Sequence, residues 1–234
     1  IFGNDQSGNS IVDLNGSYKH NIPKDLMLNV VYRTPRPILI ASHVFGLGLK
    51  RKEGAVQCPA SIAQWEDIGY KVSNNKGDDL LVGEFIDISR PKEFSPHQLE
   101  KLVPFDEIIK CENFDNEEEE LSWVSGQIQN DIEVENLDPE EILVLNMNNG
   151  KVKSFSMKMK KLLEEKGVKV FTYSDDDNKF RIKGKVSIQT LRRAKGNEAG
   201  FVYVTGMDHV DAPYYDQEVL TRLRNYAFTA MTRS

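Results

Sequence analysis

Residues 138–173 read DPEEILVLNMNNGKVKSFSMKMKKLLEEKGVKVFTY, and this stretch decides the fold. Its apolar residues 142–145 are uninterrupted, which is typical of a strand buried on both faces. Residues 154–167 carry apolar side chains at helical spacing and end in Gly167, a common helix stop. Residues 168–173 form a second apolar run that predicts a strand. This alternation of buried strands and helices indicates an α/β domain with a mainly parallel sheet.

The same alternation continues on both sides of this stretch. Residues 117–135 predict an amphipathic helix, because apolar residues recur every three to four positions after a run of glutamates. The glutamates suit a helix start, since the helix dipole favours negative charge there. Downstream, residues 186–191 and 201–205 predict two more strands, and residues 217–231 predict a final helix.

The N-terminal half of the chain is less regular. Residues 1–25 are polar and rich in Gly and Asn, as in a loop or linker. Residues 26–32 and 80–86 are short apolar runs that predict strands. Residues 38–49 predict a helix, because they are apolar and follow two prolines that suit a helix start. Residues 50–110 show no clear pattern and are where we expect an accessory element.

The composition excludes several classes of protein. The 234 residues include 30 Lys and Arg against 36 Asp and Glu, a net charge of −6, and 39% are hydrophobic. These values exclude a disordered or collagen-like chain and a polycation that coats nucleic acid. No run of about 18 apolar residues occurs, so we expect no membrane-spanning helix. Cys58 and Cys111 lack the spacing of a zinc site or disulfide framework, which favours reduced thiols and a cytoplasmic location.

Four short segments carry a family resemblance through their order along the chain. They are residues 2–7 (FGNDQS), 31–35 (VYRTP), 190–198 (TLRRAKGNE) and 227–234 (AFTAMTRS). In this order they resemble motifs III, IV, V and VI of superfamily 1 helicases of the UvrD, PcrA and Rep type. The resemblance covers most of the chain and is weakest over residues 50–110.

The resemblance implies a RecA-like fold of the kind found in P-loop NTPases, with a mainly parallel sheet flanked by helices. Residues 1–25 would be the end of a first RecA-like domain with its linker. Residues 26–234 would be the second, C-terminal RecA-like domain of the helicase. The large insertion that such helicases carry before motif V is missing, since only residues 174–185 separate the two strands there.

The resemblance also assigns catalytic roles. Arg33 and Arg233 would reach the γ-phosphate of ATP, where negative charge develops during hydrolysis, and Gln6 would sense that phosphate. Arginine suits this task because it is always protonated and donates to phosphate oxygens in a fixed fork.

Three further residues would hold the rest of the nucleotide. Tyr32 would stack on the adenine, and Glu198 would accept a hydrogen bond from the ribose. Gly196 would let the backbone approach closely, since it has no side chain.

Nucleic-acid contacts are implied for Thr190, Arg192 and Lys195. Arg192 stands where the family usually has His, so its contact is to a phosphate rather than the one His makes. The aromatic residue that often follows motif III is absent at Gly8-Asn9.

The chain lacks the other half of an ATPase site. No G-x-x-x-x-G-K-[ST] loop occurs, because both Gly-Lys pairs are followed by Val. Asp106-Glu107 stands in the wrong order for the magnesium-binding pair, and we interpret it as a surface turn. The chain begins at Ile1 and reads like a piece of a longer protein. Its own N-terminal RecA-like domain would supply the triphosphate cradle and hold Mg²⁺, so the isolated chain is expected to be inactive.

Three polar clusters have ordinary explanations beside functional ones. Asp175-Asp176-Asp177 predicts a turn between strands, and Asp208-His209-x-Asp211 has too few ligands for a metal, so no metal site is assigned. The lysines of residues 151–161 form either a basic face that follows a nucleic-acid backbone or a solvated helix face.

The sequence therefore predicts the C-terminal motor domain of an ATP-dependent DNA helicase or translocase, moving 3′ to 5′ on single-stranded DNA. RNA stays open as the track, because phosphate contacts do not identify the sugar. The alternative is a degenerate helicase-like module that binds nucleic acid or a protein partner without hydrolysing ATP. An unrelated doubly wound nucleotide-binding protein is disfavoured, since no G-x-G-x-x-G follows an early strand.

Overall fold

The computed structural model describes residues 29–73, 80, 85–176 and 178–234. Contacts between residues divide the chain into two units. The smaller unit contains the described residues of 1–36 and 58–102, and the larger unit contains residues 37–57 and 103–234.

Short strands and helices alternate along most of the described chain. The helices are α1 (Arg36–Leu47), α2 (Ile62–Asp67), α3 (Phe105–Ile108), α4 (Glu117–Glu133), α5 (Val152–Glu165), α6 (Leu191–Ala194) and α7 (Gln217–Met231). The strands are β1 (Lys71–Ser73), β2 (Asp87–Ser89), β3 (Ile142–Asn146), β4 (Val170–Thr172), β5 (Val186–Gln189) and β6 (Phe201–Thr205).

The larger unit is built on a four-stranded parallel sheet in the order β4-β5-β3-β6. Val144 in β3 lies opposite Ile188 in β5 and Tyr203 in β6, which fixes the register of the three strands. The predicted α/β class with a parallel sheet is therefore confirmed. The predicted bounds of β6 and α7 agree with the structure, and those of β3, α4 and α5 agree within two residues.

Both faces of the sheet are covered, which explains why β3 is an unbroken apolar run. Ile142 and Val144 pack on one face with buried side chains of α4 and α5, among them Ile128 and Phe155. Leu143 and Leu145 point to the other face, where the buried residues are Met147, Leu191, Ala194, Val210, Ala227 and Ala230. Alternate residues of β3 thus serve two cores, so no position is left for a polar side chain before Asn146.

Local signals set the helix ends. The side chain of Asn116 accepts the backbone N–H of Glu119 at 3.0 Å, so the run of four glutamates fills the first turn of α4 as predicted. Asp216 caps α7 in the same way, through the N–H of Val219 at 2.8 Å. Gly167 follows α5 with a φ of 77°, a left-handed conformation that glycine adopts without strain.

The smaller unit is organised around one buried arginine. Strands β1 and β2 pair antiparallel, and Arg90 directly after β2 is only 2% exposed. Its guanidinium donates to the hydroxyl of Ser95 at 2.6 Å and to the carbonyl oxygens of Ile68, Asn29 and Phe94. It also lies 5.4 Å from the ring centre of Tyr70. Carbonyl dipoles and an aromatic face therefore take the place of a carboxylate partner.

Two predictions fail within the described part of this unit. Residues 29–32 of the predicted strand 26–32 do not form a β-strand in the structure. The backbone N–H of Val31 donates one hydrogen bond, to the carbonyl of Phe94 at 2.9 Å, and no regular pairing with another strand follows in this described stretch. The predicted strand 80–86 is wrong at 85–86, since β2 begins at Asp87. Residues 26–28 and 81–84 of these two predictions lie outside the described residues. In the larger unit, Asp106 and Glu107, predicted as a surface turn, form the exposed short helix α3.

Candidate functional site

The residues predicted for the nucleotide site fall in different parts of the chain. Gln6 lies outside the described residues. Tyr32 and Arg33 belong to the smaller unit, and both are exposed, Tyr32 by 73%. They directly precede Thr34 and Pro35, which are buried. An exposed aromatic ring and an exposed guanidinium therefore stand side by side in sequence at the start of α1.

The segment 190–198 forms a tight connection from β5 to β6 within the larger unit. The Thr190 hydroxyl accepts the N–H of Arg193 at 3.3 Å and so begins the one-turn helix α6. Gly196 follows with a φ of 89°, which a residue with a side chain adopts only under strain. Arg192, Lys195 and Glu198 are all exposed around this turn. The structure thus brings together five of the predicted site residues, Thr190, Arg192, Lys195, Gly196 and Glu198.

Two polar side chains, half-buried Arg193 within this segment and buried Gln189 directly before it, make contacts that were not predicted. The guanidinium of Arg193 donates to the carbonyl oxygens of Tyr173, Asp176 and Lys179, so Arg193 fixes the loop after β4. Gln189, directly before Thr190, is 2% exposed and donates to the carbonyl of Phe180 at 2.9 Å. Its Oε1 atom is buried and accepts no hydrogen bond in the part of the chain that the structure describes. A buried acceptor of this kind costs about 1–3 kcal/mol unless a partner reaches it.

The end of α7 lies against the same connection. The N–H of Ala199 donates to the carbonyl of Arg233 at 2.9 Å, which joins segment 190–198 to the predicted motif at the chain's C-terminal end. Arg233 is only 6% exposed, and its Nε donates to the carbonyl of Thr229 at 2.9 Å. A terminal nitrogen of the same guanidinium lies 3.4 Å from the Thr232 hydroxyl. The segments that resemble motifs V and VI are therefore neighbours in space.

A second polar cluster lies at the carboxyl ends of β3 and β6. Asn146 donates to the hydroxyl of Thr205 at 2.9 Å, and the side chains of Asn148 and His209 meet at 3.0 Å. Glu120 of α4 accepts the N–H of Gly206 at 3.0 Å. Burial raises the pKa of Glu120, and this hydrogen bond opposes the rise. Ligands of open α/β sheets bind at this edge, and the polar residues that end β3 were the available sequence signal.

The loop after β6 is fixed by an aspartate between two arginines. Asp211 accepts from Nε of Arg51 at 2.8 Å and from a terminal nitrogen of Arg224. Arg224 is 3% exposed, donates to the carbonyl of Phe45 and lies 5.0 Å from that residue's ring centre. Asp211 therefore has a structural task. Among the described residues, no three His, Cys, Asp or Glu side chains are grouped so that they could hold a metal ion.

The lysines of residues 151–161 are largely matched by carboxylates. Lys158 lies 3.0 Å from Glu117, and Lys151 lies 3.9 Å from the same side chain. Lys160 lies within 4.0 Å of the carboxylates of Glu164 and Asp175, and Lys161 lies 3.8 Å from the carboxylate of Glu165. This pairing favours the solvated helix face over the nucleic-acid track, because little positive charge is left uncompensated.

Comparison of the chain with protein families, with curated proteins and with solved structures found no match. Among the described residues, no helix has the length and apolar character needed to span a membrane. The arrangement offers an arginine, exposed cations and an exposed carboxylate around a glycine turn, which is a set of groups suited to a phosphorylated, hydroxyl-bearing ligand.

Proposed function

We propose that this chain is the C-terminal RecA-like motor domain of a superfamily 1 ATP-dependent helicase or translocase. The observation that carries the proposal is the contact between Ala199 and Arg233 at 2.9 Å. It joins segment 190–198, through the residue that follows it, to segment 227–234, and these are the segments that resemble motifs V and VI. A chance likeness in sequence gives no reason for the two segments to meet.

The residues on this connection suit one side of a bound nucleotide. Glu198 is exposed beside the strained turn at Gly196, and a carboxylate there accepts hydrogen bonds from ribose hydroxyls. Arg233 supplies a permanent positive charge for the γ-phosphate, where a single arginine is worth roughly 10³–10⁵ in rate. Arg33 has the same task, Tyr32 stacks on the adenine, and Gln6 senses the γ-phosphate.

The rest of the ATP site comes from a partner domain in this proposal. The phosphate loop and the Mg²⁺ ligands belong to an N-terminal RecA-like domain of the same protein, and the isolated chain does not hydrolyse ATP. Mg²⁺ supplies charge neutralisation at the β- and γ-phosphates when it is bound. Exposed Arg192 and Lys195, with Thr190, contact the backbone of single-stranded nucleic acid. The protein works in the cytoplasm, where the exposed thiols of Cys58 and Cys111 stay reduced.

The test is ATP hydrolysis by the natural full-length protein, with and without single-stranded DNA. We expect DNA-stimulated turnover, and we expect Arg233→Ala to lower it by roughly 10³-fold while nucleotide binding is largely kept. Arg222→Ala is the matched control, because Arg222 is an exposed arginine on α7, the helix that Arg233 follows. Tyr32→Ala should weaken ATP binding with a smaller effect on the chemical step. Equal turnover in Arg233→Ala and Arg222→Ala would contradict the assignment.

One observation favours the alternative function, a helicase-like module that binds without hydrolysis. The Arg233 side chain is buried and donates a hydrogen bond to the Thr229 carbonyl. It has to give up this hydrogen bond before it can reach a nucleotide. If the full-length protein binds single-stranded DNA but shows no turnover, this alternative replaces the motor.

A further inference from the structure

The backbone of residues 198–200 is held by three different parts of the larger unit. The carbonyl of Glu198 accepts a hydrogen bond from a terminal nitrogen of Arg181, in the loop after β4, at 3.3 Å. The N–H of Gly200 donates to the carboxylate of Glu141, directly before β3, also at 3.3 Å. The N–H between these two groups is the one that donates to the end of α7 at 2.9 Å. Three consecutive residues are thus tied to three elements that lie far apart in the sequence.

Arg181 and Glu141 also bind each other, with a nitrogen and an oxygen 3.1 Å apart. The guanidinium therefore uses one nitrogen for the carboxylate and another for the Glu198 carbonyl. The carboxylate likewise uses one oxygen for Arg181 and the other for the N–H of Gly200. We call this closed arrangement the Arg181–Glu141 brace. The fixed fork of arginine suits it, because two donors can point at two acceptors at once.

The brace contributes more to local geometry than to the stability of the unit. Its two side chains are 47% and 42% exposed. An ion pair at such exposure is worth little in folding free energy, since water solvates both charges well. What the brace does fix is the peptide geometry on both sides of residue 199, and with it the backbone from which the exposed Glu198 side chain projects.

The loop that carries Arg181 is anchored on both sides of this residue. On one side, Arg193 donates to the carbonyl of Lys179. On the other side, Glu140 accepts the N–H of Gly184 at 2.8 Å. Arg181 therefore reaches residues 198–200 from a fixed backbone, so that little conformational freedom is lost when a ligand binds beside it.

We propose that Arg181 and Glu141 are positioning residues for the nucleotide, because they fix the backbone from which Glu198 binds the ribose. This inference rests on the proposed function, in which the Glu198 carboxylate accepts hydrogen bonds from the ribose hydroxyls. A hydrogen bond weakens steeply when its angle departs from the optimum. Loss of the brace should therefore weaken nucleotide binding through the ribose. It should leave the chemical step largely unchanged, since the γ-phosphate is bound by other residues.

The test measures binding of the β,γ-imido analogue of ATP, with Mg²⁺, to the full-length protein by titration calorimetry. The variants Arg181→Met and Glu141→Met should weaken binding about three- to tenfold, the usual worth of one hydrogen bond. They should not change the affinity for the 2′,3′-dideoxy form of the analogue, which offers Glu198 no hydroxyl. In DNA-stimulated turnover, KM for ATP should rise by a similar factor while kcat stays within about twofold.

Two controls separate positioning from general damage to the unit. In a Glu198→Ala background, Arg181→Met should have no further effect on binding, because the group that it positions is gone. Lys161→Met should leave nucleotide binding unchanged, although it also breaks an exposed ion pair, 3.8 Å from Glu165 on α5. Hydrogen exchange of β3 amides should match in all variants, which checks that the unit is folded.

The outcomes separate this inference from the proposed function. Unchanged binding of the ATP analogue by both Arg181→Met and Glu141→Met would overturn the brace, and DNA-stimulated hydrolysis would still support the motor. Equal losses for the analogue and its dideoxy form would also overturn it, since the effect would not pass through the ribose. A ribose-dependent loss in a protein with no turnover would support the brace and overturn the motor. Absence of nucleotide binding by the unchanged protein would overturn both.

Discussion

The buried arginine on α7 gives the sharpest prediction about stability. Replacing Asp211 by Ala removes the carboxylate that is bound to Arg224, whose side chain is 4% exposed, and leaves that buried charge without its hydrogen-bonded counterion. Breaking a buried ion pair in this way costs about 3–5 kcal/mol, and the 31% exposure of the Asp211 side chain reduces this to about 2–3 kcal/mol.

Replacing Arg224 by Met is expected to cost less, about 1 kcal/mol, although it removes the more buried partner. The Phe45 carbonyl keeps a second donor, the N–H of Gly48 at 3.1 Å, and Asp211 keeps Arg51 at 2.8 Å. The Nε of Arg224 has no acceptor within the described chain, so that bond is not lost. Methionine also fills most of the volume of the arginine stem.

Hydrogen exchange of amides in β3 and β6 measures these differences inside the larger unit, and urea unfolding supplies a second value. The double variant Asp211→Ala/Arg224→Met should cost about 1–2 kcal/mol less than the sum of the single variants, since no stranded charge remains on α7. The reasoning is refuted if Arg224→Met destabilises the unit as much as Asp211→Ala does.

The remaining predictions concern a strained turn, a buried carboxylate and the smaller unit. Gly196→Ala should cost about 1 kcal/mol of unfolding free energy from its φ of 89° alone, because no described residue other than its chain neighbours has an atom within 4 Å of the added methyl group. Burial raises the pKa of Glu120 in the folded state, so the folded protein loses stability as pH rises from the ordinary glutamate value through the raised one. Glu120→Gln should remove that part of the pH dependence in thermal unfolding, and an unchanged profile would contradict it. Arg90→Met should destabilise the smaller unit by about 2–4 kcal/mol, measured by exchange of β1 and β2, since several carbonyls lose their donor.

The parallel core could be predicted from sequence because burial on both faces leaves a strong pattern. Residues 142–145 are all apolar, and residues 217–231 show helical spacing bounded by Asp216. The strands of the smaller unit gave no comparable signal. Each of β1 and β2 has three residues with an exposed residue on either side of a half-buried one, so their composition resembles that of a loop.

The contacts that fix the candidate site depend on residues far apart in the chain. Arg51 and Asp211 are separated by 160 positions, and neither residue type nor local spacing indicates the pairing. Arg193 was predicted only as part of a motif, whereas its guanidinium fixes the loop after β4. Long-range polar pairs of this kind are specified by the assembled fold, so a local reading of the sequence does not detect them.

The most direct test of the central claim is backbone hydrogen exchange in the full-length protein with a non-hydrolysable MgATP analogue. If residues 195–199 and 230–233 form one side of the nucleotide site, the analogue should slow exchange in both segments together. Exchange in β4, which contributes no residue to the proposed site, should stay unchanged. Unaltered exchange in both segments at a saturating analogue concentration would contradict the claim.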